Sequence, residues 1–264
     1  MTLFGQAPAD VEAPVHESAV RIDRVSQTFG KGASRTLALD EVSLDVRAGE
    51  LVCMLGRSGC GKSTLLNLVA GLEQPTSGSI ELGGRSVGMM FQDANLFPWL
   101  TVAGNIELAL KLSGVPRADR ADRIDELLEL VRLPRAHRKR PHELSGGMRQ
   151  RVALARSLAQ ECSILLMDEP FGALDAITRN AMHDQTERIW AEPGLTILFV
   201  THNVREAARL GDRVIVMAPD PCRIATEAIV DLPRPRRMED ADVARMSGQL
   251  HDVLREFDLG DHRG

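Results

Sequence analysis

The sequence predicts an α/β fold in which a core of parallel strands is interrupted by a lobe of helices. Three observations carry this. Short, mainly apolar runs recur at 51–55, 164–167, 196–200 and 214–217, the pattern of strands buried on both faces. A glycine-rich turn closes the first run and opens a helix. Between 101 and 160 the apolar spacing becomes helical, with Ile124, Leu127, Leu128 and Val131 at i, i+3, i+4 and i+7.

Taken in order, residues 1–18 carry Asp10, Glu12, Glu17 and two prolines, with neither a basic start nor an apolar signal core, and read as a solvated tail. Segments 20–29 and 38–46 alternate like partly exposed strands, and Ala48-Gly49-Glu50 turns the chain into the run 51–55. Leu65, Leu66, Leu68 and Val69 give the apolar face of the helix after the glycine-rich turn, which ends near Gly71. The helical lobe is expected over about 95–160, and strands return at 164–167, 196–200 and 214–217 with helices over 175–190 and 204–210 between them. The main domain therefore covers 19–232. Pro233, Arg234, Pro235, Arg236 and Arg237 mark a linker, and Val243, Met246, Leu250, Val253 and Phe257 give one apolar face of a last helix within 233–264.

Composition narrows the function. A net charge of −5 and 3% aromatic residues give no basic footprint and little stacking surface for a nucleic acid. Cys53, Cys60, Cys162 and Cys222 form no C-x-x-C pair, so unpaired thiols and no metal cage are expected. The longest apolar stretches are far short of the roughly 18 residues that cross a bilayer.

The chemistry is concentrated in three segments. In Gly56-Arg57-Ser58-Gly59-Cys60-Gly61-Lys62-Ser63-Thr64 the glycines let backbone amides wrap an anion, and the helix that follows offers free N–H groups and a positive dipole end. Lys62 is placed to reach the β- and γ-phosphates of a nucleotide and Ser63 to ligate Mg²⁺. The buried run 164–167 delivers Asp168 and Glu169 to the strand end where open α/β sheets bind ligands. Asp168 is expected on Mg²⁺ and Glu169 on the attacking water. In Leu144-Ser145-Gly146-Gly147, Ser145 caps a helix whose first turn is left bare for an anion.

The order of phosphate loop, Gln92, Leu144-Ser145-Gly146-Gly147, the run 164–169, Ala173-Leu174-Asp175 and His202 resembles the nucleotide-binding subunits of ABC transporters over roughly 19–232. The resemblance implies a P-loop NTPase (RecA-like) core with an N-terminal antiparallel β subdomain and an inserted α-helical subdomain. It also implies a head-to-tail dimer, in which the signature at 144–147 of one subunit clamps ATP held by the phosphate loop of the other. It makes Gln92 a glutamine that contacts Mg²⁺ and the attacking water and couples to the membrane subunit, and His202 a switch histidine that holds the γ-phosphate and Glu169. Asp175 becomes a contact between subunits, and Phe29 the aromatic that stacks on adenine, with core packing as the competing reading.

Phe97-Pro98-Trp99-Leu100-Thr101, Phe171-Gly172-Ala173-Leu174-Asp175 and Phe199-Val200-Thr201-His202 resemble the ATPases of bacterial importers for nitrate, aliphatic sulfonates or taurine. That resemblance implies a homodimer or paired ATPase subunit, transmembrane permease subunits contacting the region 97–100, an extracytoplasmic substrate-binding protein, and a place on the cytoplasmic face of the membrane. An importer for a different solute, a soluble ABC ATPase outside transport and a regulatory module without hydrolysis stay open. Met148, Asn203 and a shortened 78–92 depart from the common pattern, the last leaving a strand or loop there undefined.

Overall fold

The computed structural model describes residues 17–30, 32–191 and 194–260, so 1–16 of the tail expected at 1–18 lies outside the described residues, while Ser18 is not tail but the first residue of a strand paired with Arg47. The elements run β1 (Ser18–Phe29), β2 (Thr36–Arg47), β3 (Leu51–Leu55), α1 (Lys62–Val69), β4 (Ser77–Glu81) and β5 (Val87–Met90). The helices α2 (Val102–Leu112), α3 (Arg120–Leu130) and α4 (Gly146–Leu158) follow. The chain then continues through β6 (Ile164–Asp168), α5 (Ala176–Trp190), β7 (Thr196–Thr201), α6 (Val204–Leu210), β8 (Arg213–Ala218), β9 (Arg223–Ile229) and α7 (Ala241–Gly260).

Two sheets result. β2, β1 and β4 pair antiparallel in that order. The larger sheet has the order β5-β6-β7-β3-β8-β9, parallel throughout except for the edge pair β8 and β9. β3 and β7 are buried along their whole length, which is why their sequences read as unbroken apolar runs. Alternation along β3 divides the core. Leu51, Cys53 and Leu55 pack with residues of α2, α3 and α4, whereas Val52 and Met54 pack with α1 and the antiparallel sheet.

The segment 78–92 holds one strand for each sheet: β4 completes the antiparallel one and β5 forms the parallel edge. β9 was not expected. Only Ala228 of its seven residues is buried, so an edge strand here looks like polar loop in sequence.

The stretch 233–240 has no helix or strand, yet its arginines are tightly held. Arg236 is buried and its guanidinium donates to the carbonyls of Ala208, Arg209, Gly211, Val230 and Leu232. Arg234 bonds Glu187 and Asp212 and lies 4.3 Å from the ring centre of Trp190, whose indole N–H donates to Gly49 O at 3.0 Å. α7 then lies against α6 and β8, with Val243 and Leu250 buried. Among the described residues no helix is long and apolar enough to cross a membrane.

Candidate functional site

The carboxyl ends of β3, β6 and β7, adjacent in the sheet, carry the phosphate loop, Asp168 with Glu169, and His202. The loop is shaped by left-handed glycines. Gly59 has φ 83° and Gly61 φ 105°, and a Cβ on Gly61 would stand 3.0 Å from Ala38 O and 2.9 Å from Cys222 Cβ. Gly61 then caps α1, leaving the helix's first amides open to the cleft.

Lys62 is 3% exposed, and its ammonium donates to Gly56 O at 2.8 Å and Arg57 O at 2.7 Å. It also stands 3.8 Å from Glu169 Oε1. The other oxygen of that carboxylate, Oε2, is 2.8 Å from His202 Nδ1. Glu169 takes φ 41°, a left-handed conformation costing a non-glycine residue roughly 1–2 kcal/mol. Its N–H donates to Val200 O at 3.1 Å, so the strained turn is tied to β7 beside His202. Ser63 Oγ donates to Asp168 Oδ1 at 3.0 Å. Burial raises the Asp168 carboxyl above its usual range, although the Ser63 hydroxyl opposes this. A hydroxyl and a carboxylate converging at a cleft are the hard oxygen donors that suit Mg²⁺.

These groups open on a cleft of about 530 Å³ whose lining includes Phe29, Ser58 to Thr64, Gln92 and Glu169. Phe29 is 42% exposed at its mouth, on the strand pair with Thr36, and is not packed into the core. Gln92 is exposed on the lining, and its carbonyl accepts from Gln150 Nε2 at 2.7 Å. Gln150 belongs to α4, as do Arg156, which donates to Ala94 O and Asn95 O, and Ser157, which donates to Met89 O at 3.0 Å. One helix thus fastens the whole stretch 89–95.

The segment 144–147 does not line this cleft. Ser145 and Gly146 are exposed, and Ser145 Oγ accepts from Met148 N at 3.3 Å as the cap of α4. Gly147 is required by contact: a Cβ there would meet Thr178 Cγ2 at 2.3 Å. Asp175 caps α5, accepting from Thr178 N at 3.0 Å and from Thr178 Oγ1 at 2.7 Å, bonds that hold its carboxyl below the usual range.

Three parts of the site went unforeseen. Thr36, Leu37 and Ala38 line the cleft because β2 follows β1 back past the loop, and Asp220, Pro221 and Cys222 reach it through the bridge from Cys222 to Leu39. Cys222 hydrogen-bonds Cys60, and this bond, with Lys62 Nζ at 3.8 Å, holds the Cys60 thiol below its usual value. Behind the site, Glu206 of α6 accepts from Thr201 Oγ1 at 2.5 Å and from His183 at 3.2 Å. Neither Cys222 nor Glu206 stands in a local motif, so only the tertiary pairing reveals them.

A parallel α/β sheet with a glycine cradle at a helix N-terminus, a buried lysine, and a Ser–Asp pair beside a poised glutamate defines a nucleoside-triphosphate hydrolase of the P-loop class. The family model for ABC transporters matches residues 39–172. The chain is 50% identical over 233 residues to a taurine import ATP-binding protein of Roseobacter denitrificans, covering 86% of this chain and 84% of that protein. It is 46% identical over 243 residues to an aliphatic sulfonates import ATP-binding protein of Burkholderia lata, covering 90% of this chain and 72% of the relative. Among solved structures it resembles a dimeric ATP-binding cassette in a post-hydrolysis state with ADP and Pi, with TM-score 0.73 and 33% identity over 81% of this chain and 100% of that one. The chain belongs to the ABC transporter family, as one of its ATP-binding and ATP-hydrolysing subunits.

Proposed function

We propose that this subunit energises import of a small organic sulfonate, working as one of two ATPases on the cytoplasmic face of a membrane permease. One observation carries the hydrolytic part. Glu169 is held between His202 at 2.8 Å and Lys62 at 3.8 Å, so a general base is oriented at the edge of a phosphate cradle. ATP enters the cleft with its adenine at Phe29 and its phosphates on the amides of Gly59 to Thr64. Ser63, Asp168 and Gln92 would hold Mg²⁺, which when bound neutralises charge on the phosphates. Glu169 takes a proton from the attacking water, and His202 keeps the carboxylate aimed.

The dimer reading is supported by Ser145 and Gly146, exposed and away from the subunit's own cleft. A capped helix start with bare glycines suits the γ-phosphate of ATP bound by a second copy. That shared ligand favours the closed pair only until hydrolysis. Phe97 is 36% and Trp99 68% exposed, with ring centres 5.3 Å apart, and Asn105 clamps the backbone of Phe97 from both sides. This rigid aromatic knob supports a permease contact there. A substrate-binding protein outside the membrane would deliver the solute.

The test is reconstitution of the subunit with its permease and binding protein in vesicles. Taurine or an alkanesulfonate should raise phosphate release and accumulate inside with ATP. Stimulation by nitrate alone would reassign the solute, and equal hydrolysis with no uptake of any solute would remove the transport role.

A further inference from the structure

A second cavity, of about 510 Å³, lies on the other side of the phosphate loop and shares Ser58 with the cleft described above. It runs between Ser58, the turn at His202 and Val204, and the α7 residues His251, Leu254 and Arg255. Half-buried Val204 and Leu254 give it apolar walls, and exposed Arg255 with His251 makes its α7 side basic. Asp252 and Glu256 of the same helix do not line it. Because α7 is anchored on α6 and β8, the groove has a fixed wall.

The occupant is indicated by a residue elsewhere on the surface. Ile177 is 85% exposed on the first turn of α5, two residues after Asp175. A lone exposed isoleucine is unremarked in itself. Its place is informative: the contact of Gly147 with Thr178 makes the signature and this first turn one continuous surface. A second copy that lays its signature over the phosphate loop therefore brings Ile177 down beside that loop, where the groove begins.

We propose that Ile177 of each subunit seats in this groove of the other, against Val204 and Leu254, with Asp175 facing Arg255. α7 is then part of the ATP-dependent dimer interface. The inference rests on the head-to-tail arrangement under Proposed function and adds to it a specific apolar anchor and a basic partner on the C-terminal helix. By twofold symmetry each substitution removes two equivalent contacts.

The experiment uses the full chain carrying Glu169→Gln, to retain ATP, and measures dimerisation by analytical ultracentrifugation with and without Mg-ATP. Into that background go Ile177→Asp, Leu254→Asp, Arg255→Glu and the conservative Ile177→Val. Ile177 and Arg255 are exposed, and an added acid in the first turn of α5 favours that helix, so Ile177→Asp and Arg255→Glu leave the core intact. About tenfold per contact makes Ile177→Asp and Leu254→Asp weaken the ATP dimer by about a hundredfold. Arg255→Glu should weaken it by less, and Ile177→Val should keep it, while nucleotide affinity of the monomer is unchanged in all four. A Glu169→Gln dimer that forms equally well with Ile177→Asp and Arg255→Glu overturns the groove contact and leaves the head-to-tail reading standing. Failure of the Glu169→Gln parent itself to dimerise with ATP overturns the head-to-tail reading, and the groove contact with it.

Discussion

His202 Nδ1 lies 2.8 Å from one oxygen of Glu169, and Lys62 Nζ lies 3.8 Å from the other. The carboxylate is thereby fixed in direction by two groups from different strand ends, and the left-handed backbone at Glu169 sets the turn that aims it. Replacing Glu169 by Gln keeps the shape and removes the proposed base. Turnover should fall about 10²- to 10⁴-fold with nucleotide affinity preserved, as read by phosphate release and by fluorescent-nucleotide titration. Turnover near the parent value would take the proton-accepting role away from Glu169.

Cys60 is the thiol to react first. Its bond with Cys222 and the nearby Lys62 ammonium hold it low, whereas burial pushes the Cys162 thiol up to about 11 and the Cys53 thiol higher still. At neutral pH, peptide mapping after brief exposure to an uncharged alkylating agent should show Cys60 labelled well before Cys53 and Cys162, with ATP protecting it. The bulky adduct should abolish ATP binding. Full labelling without loss of binding would show that the loop tolerates the group.

Acid sensitivity should arise from a group away from the nucleotide. Burial alone would raise the Glu206 carboxyl, but hydrogen bonds from His183 and Thr201 and the charge of Arg179 hold it below the usual range. Arg209 donates to His183 Nδ1 at 3.2 Å, which leaves Nε2–H to donate to Glu206. A depressed carboxyl stabilises the fold above its unfolded value, and the contribution is lost as pH falls through its folded value. Glu206→Gln should therefore cost about 3 kcal/mol at pH 7, with the gap to the parent closing below about pH 4, by urea denaturation. A constant gap across that range would exclude the ionised network as its cause.

Arg236 should matter more for stability than for catalysis. Arg236→Ala strands carbonyls that share one buried guanidinium, at a cost of about 3 kcal/mol, while Arg237→Ala beside it, on an exposed residue, should stay within about 0.5 kcal/mol. Calorimetric melting of both variants checks this, and equal effects would mean that the exposed arginine shares the anchoring.

What the sequence made legible was local. β3, β6 and β7 announced themselves as apolar runs because both their faces are covered, and the phosphate loop, Asp168 and Glu169 follow those runs directly. What stayed hidden depends on distant pairing. β9 has one buried residue, so nothing in its seven letters betrays a strand. Cys222 reaches Cys60 only through its bridge to Leu39, and Arg236, in a segment that reads as linker, gains its partners from the end of α6 and from residues 230 and 232.

The ties from α4 to the stretch 89–95 carry a consequence for how force is routed. Gln150 and Arg156 hold the backbone next to the aromatic knob, and the same helix begins at Ser145. In the head-to-tail pair proposed above, a push on Phe97 and Trp99 would thus be delivered in two places: through Gln92 to the subunit's own nucleotide, and through the length of α4 to the nucleotide held by its neighbour. Under that arrangement the wiring would be crossed, like reins that pass from each hand to both horses, so neither ATPase could answer its half of the permease alone.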